Sequence, residues 1–314
     1  MKKKGLYVLT GFLGSGKTTF LLNLLDNIKD KKIGIIQNEF GKINVDGEII
    51  GKDGIKMTEI SRGSIFCSCL KLSFVESLAE MGKMDLDYVF VESSGLADPS
   101  NIEEILEAVK VLAGDVYEFK AAICLIDAVN FLDQIKDEET VYRQLVHCHM
   151  AIVNKIDLVD EDKIHKINEK IKEINPNCLI KYGKEGNIGL DFLSIDLKSL
   201  NKIESEDSLN TVDNKPKTIS LQTEEILTRD ELNEFLEKVL PDCYRIKGFF
   251  HLEEGWFQVD VVEKLIDYKP HGERENSELV FLSKVGPKII RTIDTNWKEI
   301  VNKPMKLKNW GGRW

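Results

Sequence analysis

Residues 11–18 read Gly11-Phe12-Leu13-Gly14-Ser15-Gly16-Lys17-Thr18, directly after the apolar run 6–10 and directly before an amphipathic stretch over 17–29. A glycine-rich turn between a strand and a helix lets consecutive backbone N–H groups curl round a phosphate, and the helix adds the positive end of its dipole. Few architectures use such a turn, because the strand must sit inside a parallel sheet and the helix must pack back on it. Gly14, Ser15 and Gly16 supply the cradle, with Thr19 beside it. Lys17 is placed to reach the terminal phosphates and Thr18 to offer its hydroxyl to magnesium.

The rest of the first two thirds repeats this alternation. Strands are predicted over 6–10, 32–38, 56–60, 87–92, 121–126, 150–154 and 178–181, and helices over 17–29, 74–82, 102–113, 140–147 and 161–174. Several strands are almost unbroken apolar runs, which suits a sheet covered by helices on both faces. The fold class that follows is α/β: a P-loop nucleotide-hydrolase domain over 1–198 with a doubly wound, mostly parallel sheet. Residues 199–216 turn polar and acidic and end at Pro216, as a linker does. Beyond it, strands over 218–222, 244–251, 256–262 and 279–284 and helices over 229–239 and 295–302 describe a smaller α+β domain, 217–314, with one antiparallel sheet.

A chain of 314 residues is long enough to bury both cores. Its net charge of -10 argues against a general nucleic-acid binder, which presents a basic face, yet allows one local phosphate pocket. No apolar run approaches the roughly 20 residues that span a bilayer. The run after Met1-Lys2-Lys3-Lys4 leads into the glycine turn and not into a cleavage site. A cytoplasmic protein without membrane association is expected; oligomeric state is left open. Six irregularly spaced cysteines suggest no disulfide framework, and only Cys67 and Cys69 stand close enough to share chemistry.

Two further stretches bear on the nucleotide. Asn154-Lys155-Ile156-Asp157 leaves an apolar strand where a loop rises toward the phosphate end of the sheet. A carboxylate there accepts paired hydrogen bonds from guanine N1–H and the 2-amino group, whereas adenine would leave it unpaired. Asn154, Lys155 and Asp157 are therefore assigned to the base, and GTP is expected over ATP. The other stretch is Asp87-Tyr88-Val89-Phe90-Val91-Glu92-Ser93-Ser94-Gly95. In P-loop enzymes this strand ends in an acid that holds magnesium through water. Here the acid is Glu92, since Asp87 opens the strand at its far end. Gly95 is placed for its N–H to meet the γ-phosphate.

With Asn38-Glu39-Phe40-Gly41 and Glu92-Ser93-Ser94-Gly95-Leu96-Ala97-Asp98-Pro99, these motifs resemble the CobW-like GTPases. Those are metal-handling relatives of the GTPases that help insert nickel into hydrogenase and urease. The resemblance covers nearly the whole chain, Leu279-Val280-Phe281-Leu282 matching a typical strand of their C-terminal domain. It implies that residues 38–47 form a first switch, with Glu39 and Asp46 near magnesium and the attacking water. Lys17, Glu39 and Glu92 would then carry hydrolysis of GTP to GDP, and Thr18, Asp46 and Glu92 would surround Mg2+.

The departure from the family is informative. Its members typically carry Gly-Cys-x-Cys-Cys after the third strand as their metal site. This chain has Gly63-Ser64-Ile65-Phe66-Cys67-Ser68-Cys69, so Ser64 and Phe66 replace two family cysteines, Cys67 stays in register and Cys69 is extra. Two thiolates suit a soft or borderline ion such as Zn2+ or Co2+, but a closed tetrahedral site needs four ligands, which Glu39 or a partner's residues would complete. A redox pair, or two small buried thiols, also fits the spacing. His147-Cys148-His149 ends a helix, where residues i and i+2 do not share a face, and reads as structural.

The expected function is a GTP-dependent metallochaperone or cofactor-insertion factor serving a metalloprotein or corrinoid-protein client. Hydrolysis would be slow without a partner, since no arginine finger is apparent in the motifs. One alternative is a GTPase that reloads such an enzyme by docking and carries no metal; another is a nucleotide-binding scaffold without turnover. Trp310 and Trp314, about Gly311 and Gly312, offer a tail to dock on this chain or on a partner.

Overall fold

The computed structural model describes residues 2–28, 30–39, 55–61, 71–201, 203 and 216–309, without the side chains of residues 38, 39, 55–61, 71, 137 and 309. They fall into two units, one formed by residues up to 203 and one by residues from 216 onward.

The first unit opens with β1 (Lys4–Thr10), α1 (Lys17–Asn27), β2 (Ile33–Glu39), β3 (Ile55–Ser61), α2 (Lys71–Gly82), β4 (Tyr88–Glu92) and α3 (Ile102–Ala113). It continues through β5 (Tyr117–Asp127), α4 (Phe131–Asp137), α5 (Glu139–Val146), β6 (Met150–Asn154), α6 (Glu161–Ile174), β7 (Leu179–Tyr182) and α7 (Leu197–Leu200). The strands form one seven-stranded sheet in the order β3-β2-β4-β1-β5-β6-β7, and every neighbouring pair is parallel.

The two-residue period of a strand divides the core between the two sheet faces. Leu6, Val8, Val89, Val91 and Ile36 pack with α2 and α3 through Phe74, Leu78, Ile105 and Val109. The alternate residues Tyr7, Leu9, Phe90, Ile35, Ile123 and Ile152 pack on the opposite face with Phe20, Leu21 and Leu24 of α1 and with Phe192. Apolar residues in both registers of β1 and β4 are what made these strands read as unbroken runs. Asn201, in the polar stretch expected to link the domains, is buried in this unit, donating to the Cys148 carbonyl at 3.1 Å and to Asn175 Oδ1 at 3.0 Å.

The second unit contains β8 (Thr218–Thr223), α8 (Arg229–Val239), β9 (Cys243–Leu252), β10 (Gly255–Val262), β11 (Leu265–Pro270), β12 (Ser277–Ser283), α9 (Ile289–Asn296) and β13 (Lys306–Asn309). Its sheet is antiparallel in the order β11-β10-β9-β12-β8-β13. Helix α8 starts with a reciprocal cap: Thr228 Oγ1 accepts from the Glu231 amide at 3.2 Å, and the Glu231 carboxylate accepts from the Thr228 amide at 2.8 Å. Phe235 and Trp297 meet edge to face beneath the sheet, at 5.1 Å between ring centroids.

The expected α/β class and the antiparallel second sheet are both present. Four elements were not foreseen, among them the four-residue α7, and one was misplaced. Strand β11 escaped because Leu265, apolar yet 66% exposed, breaks the inward–outward alternation. Strand β13 spans four residues, and α4 is a short seven-residue helix. The last helix, expected over 295–302, begins at Ile289 behind a tight turn at Gly286-Pro287-Lys288 and closes with a π-turn over Trp297–Val301.

Candidate functional site

In a parallel sheet whose chain winds outward in both directions, ligands collect at the carboxyl ends of the central strands. Here β1 ends in the glycine turn, β4 in Glu92, β2 in Glu39, β5 in Asp127, β6 in Asn154, and β7 in a loop over 183–187. Backbone topology alone therefore gathers the phosphate and base motifs at one end of the sheet.

Gly16, at φ 98°, caps α1 in a left-handed conformation and supplies no side-chain cap to its first amides. The amides that open a helix have no acceptor within it, and such donors suit an anion. A Cβ on Gly16 would strike the Asn154 amide nitrogen. Lys17 is buried and folds back across the turn, donating to the carbonyls of Gly11 at 2.7 Å and Phe12 at 3.1 Å. Ser15 Oγ is buried without a hydrogen-bond partner among the described residues. A buried hydroxyl without a partner at the start of a helix is a polar position that a phosphate oxygen would complete.

Below the turn, Thr18 Oγ1 donates to Glu92 Oε1 at 2.6 Å, and Gln37 Nε2 donates to Glu92 Oε2 at 3.1 Å. Glu92 is only 4% exposed. A hydroxyl and a carboxylate in contact at the start of α1 form a hard-oxygen donor set that fits magnesium. Sequence reasoning missed Gln37; its register partner across β2–β4 is Glu92 itself.

On the base side, Asn154 ties two loops together. Its Nδ2 donates to the Ser15 carbonyl at 3.0 Å, and its Oδ1 accepts from the Gly186 amide at 2.9 Å. Lys155, left-handed at φ 63°, donates to the buried Asp127 carboxylate at 2.7 Å. Asp127 in turn accepts from the Val129 amide at 2.9 Å and from Asn130 Nδ2 at 3.1 Å. Asp157 stays partly exposed, 3.9 Å from the Lys184 ammonium. The 183–187 loop, with Lys184, and Asp127 were not foreseen. The pair Gly183 and Gly186 after an apolar strand was the available signal for the loop.

The structure thus brings together Gly14, Ser15, Gly16, Lys17, Thr18, Thr19 and Glu92 on one side and Asn154, Lys155 and Asp157 on the other, with Gly95 set against Leu13 of the turn. Glu39 closes β2, but its side chain, Asp46, Ser64, Phe66, Cys67, Cys69, Trp310 and Trp314 lie outside the described residues. Among the described residues, no group of three or more His, Cys, Asp or Glu side chains is arranged to hold a metal ion.

His147-Cys148-His149 lies in the core. His149 Nδ1 accepts from the Ala122 amide at 3.1 Å, and its ring meets Phe119 edge to face. Cys148 Sγ is 3.6 Å from Cys178 Sγ, and burial holds the Cys148 thiol well above its usual range. Burial also drives the His149 pKa down to about 4. The unfolded chain takes up this proton near pH 6.5, so the neutral ring's contribution is complete above that pH and lost as pH falls toward 4. Urea denaturation is expected to show a loss of roughly 3 kcal/mol across that window from this group. His149→Asn, which keeps an acceptor at the Nδ1 position, should flatten the dependence; an unchanged slope would place it elsewhere.

A glycine turn with a folded-back lysine, a buried acid beside the helix-start threonine, and an Asn-Lys-x-Asp loop together define a P-loop nucleotide-binding protein. Residues 5–180 match the CobW/HypB/UreG nucleotide-binding domain, and residues 217–292 match the cobalamin synthesis protein cobW C-terminal domain. The chain belongs to the CobW/HypB/UreG family. Among its relatives is the zinc chaperone YjiA of Escherichia coli, 30% identical over 192 residues that span 59% of each chain. Another is the zinc-regulated GTPase metalloprotein activator 1 of Schizosaccharomyces pombe, 25% identical over 90% of this chain and 80% of that one. The crystal structure of the Zn(II)-bound YjiA GTPase from E. coli is 21% identical and covers 96% of this chain and 99% of that one, at a TM-score of 0.47. No described helix is long and apolar enough to cross a membrane.

Proposed function

We propose that this chain binds GTP and hydrolyses it slowly as a metallochaperone, delivering a transition-metal ion to a metalloprotein or corrinoid-protein client in the cytoplasm. The first unit, which takes in α7 and Asn201, would hold the nucleotide, the rest of the 199–216 stretch would link it onward, and 217–314 would form the client-docking domain. The observation that carries the nucleotide reading is the convergence of Lys17, Glu92 and the Asn154–Asp157 loop at one end of the sheet. Family membership and the names of the relatives, zinc chaperones and a GTPase metalloprotein activator, support the cargo role.

Each residue's part follows from its chemistry. Lys17 would exchange its two carbonyl partners for β- and γ-phosphate oxygens, and the open amides of α1 would neutralise the remaining charge. Asp157 would pair with the guanine edge while Lys155, braced by Asp127, lies along the base. Magnesium would be held by Thr18 and Glu92, joined by Asp46, and would draw charge from the phosphate oxygens. Glu39 would orient the water. Cys67, Cys69 and Glu39 would take up the cargo, Zn2+ or Co2+.

The test is a titration of zinc and cobalt with and without a non-hydrolysable GTP analogue. Wild-type protein is expected to bind one ion tighter than micromolar, with at least about a fivefold difference between nucleotide states. The double variant Cys67→Ser/Cys69→Ser should lose that affinity while still hydrolysing GTP and preferring it over ATP. If no ion binds tighter than micromolar and the double variant behaves as wild type, the protein is a docking GTPase without cargo.

A further inference from the structure

The segment from Glu92 to Ser100 carries Gly95, the residue placed to meet the γ-phosphate, and it is held from outside the nucleotide motifs by two adjacent residues of α5. Gln144, 1% exposed, directs its side-chain NH2 at the Gly95 carbonyl at 3.2 Å and the Ala97 carbonyl at 2.9 Å. Arg143 donates from Nε to Asp98 Oδ2 at 3.2 Å and from a terminal nitrogen to Ser100 Oγ at 3.2 Å. Asp98, 1% exposed, also accepts from the Ser100 amide at 3.1 Å. The segment itself is a tight turn, closed by the Ala97 amide on the Ser94 carbonyl at 3.0 Å.

This arrangement has a consequence for the phosphate. Gly95 has no side chain to anchor it, and its Cα faces the glycine turn so closely that a Cβ would lie 2.7 Å from the Leu13 amide nitrogen. The direction of its N–H therefore depends on what holds the neighbouring peptides. Gln144 holds the peptide on the C-terminal side of Gly95 by its carbonyl, and Arg143 fixes the turn's far end through Asp98. Arg143 has no acceptor atom and the Gln144 amide group donates to two carbonyls, which accept only, so the brace has one polarity. After α5 ends at Val146 the chain passes through residues 147–149 into β6, the strand that ends in Asn154, so one continuous piece of chain supports the base motif and the phosphate sensor.

We propose that Gln144 and Arg143 are positioning residues for γ-phosphate recognition, holding the Gly95 N–H where it distinguishes GTP from GDP. The proposal rests on the nucleotide reading above. It also locates the discrimination: Gln144 and Arg143 grip the Gly95–Ser100 turn, so their loss should act first on the third phosphate.

The experiment compares the affinities of GDP and a non-hydrolysable GTP analogue, both labelled for fluorescence, in wild type, Gln144→Leu and Arg143→Lys. Gln144→Leu preserves side-chain volume and removes both donors; Arg143→Lys keeps the charge and loses the forked grip. Gln144→Leu is expected to weaken the GTP analogue about tenfold relative to GDP, and to lower kcat more than it raises KM for GTP. Arg143→Lys should shift both measures in the same direction by less. A purely structural role would lower Tm and weaken both nucleotides alike, and that result, or an unaltered ratio, overturns the proposal. If Gln144→Leu does not fold, the ratio measured on Arg143→Lys decides: a preference equal to wild type rejects the brace. Wild-type protein that binds neither nucleotide would instead refute the underlying GTPase reading.

Discussion

A Lys17→Ala protein is expected to bind GTP at least about 100-fold more weakly than wild type and to show no measurable turnover. Charge-assisted hydrogen bonds from one ammonium to two phosphate groups are worth roughly 1.5–3 kcal/mol each, which converts to that loss or more. The structure adds a second effect. Without nucleotide, Lys17 satisfies the Gly11 and Phe12 carbonyls, so its removal leaves two acceptors of the turn without their ammonium. Alanine should therefore also lower the melting temperature of the nucleotide-free protein. Isothermal titration and thermal melts measure both quantities. A Lys17→Ala protein that turned over GTP at the wild-type rate would sink the enzymatic reading.

Replacing Glu92 by Gln should separate binding from hydrolysis. Glutamine has nearly the same shape and can still accept from Thr18, but it removes the buried carboxylate that meets the Thr18 hydroxyl. Loss of a group that organises charge at the reacting phosphate costs on the order of 100-fold in kcat. GTP affinity should move much less, because Lys17 and the α1 amides remain. Glu92→Gln should also need more magnesium for half-maximal activity. Single-turnover hydrolysis across a magnesium series gives both numbers; a variant with wild-type kcat and magnesium dependence would remove Glu92 from the site.

The parts of the site legible in sequence are those written as consecutive residues. Gly11 to Thr18 and Asn154 to Asp157 each form one loop, so spacing alone conveys their geometry. Glu92 was legible because a strand's end is marked by where its apolar run stops. Gln37, Asp127, Gln144 and Arg143 left no such trace. Gln37 meets Glu92 only because β2 and β4 lie side by side in a particular register, and nothing local to residue 37 encodes that neighbour. Arg143 and Gln144 read as the polar residues of an amphipathic helix, since a buried polar group and a solvated one look alike until the partner is known. In the second unit, Leu265 concealed β11 for the opposite reason, an apolar residue standing where alternation calls for a polar one.

The contact between Gln37 and Glu92 carries an obligation for any cargo beyond β2. It joins the acid beneath the phosphates to the strand that leads into residues 40–54. Under the proposed function, nucleotide state biases the affinity of that region for a metal ion. Thermodynamic linkage then runs both ways and with equal force: whatever factor GTP applies to the metal, the metal must apply to GTP. A loaded protein would grip its nucleotide differently from an empty one, so the cargo itself would report, through GTP occupancy, that there is something to deliver.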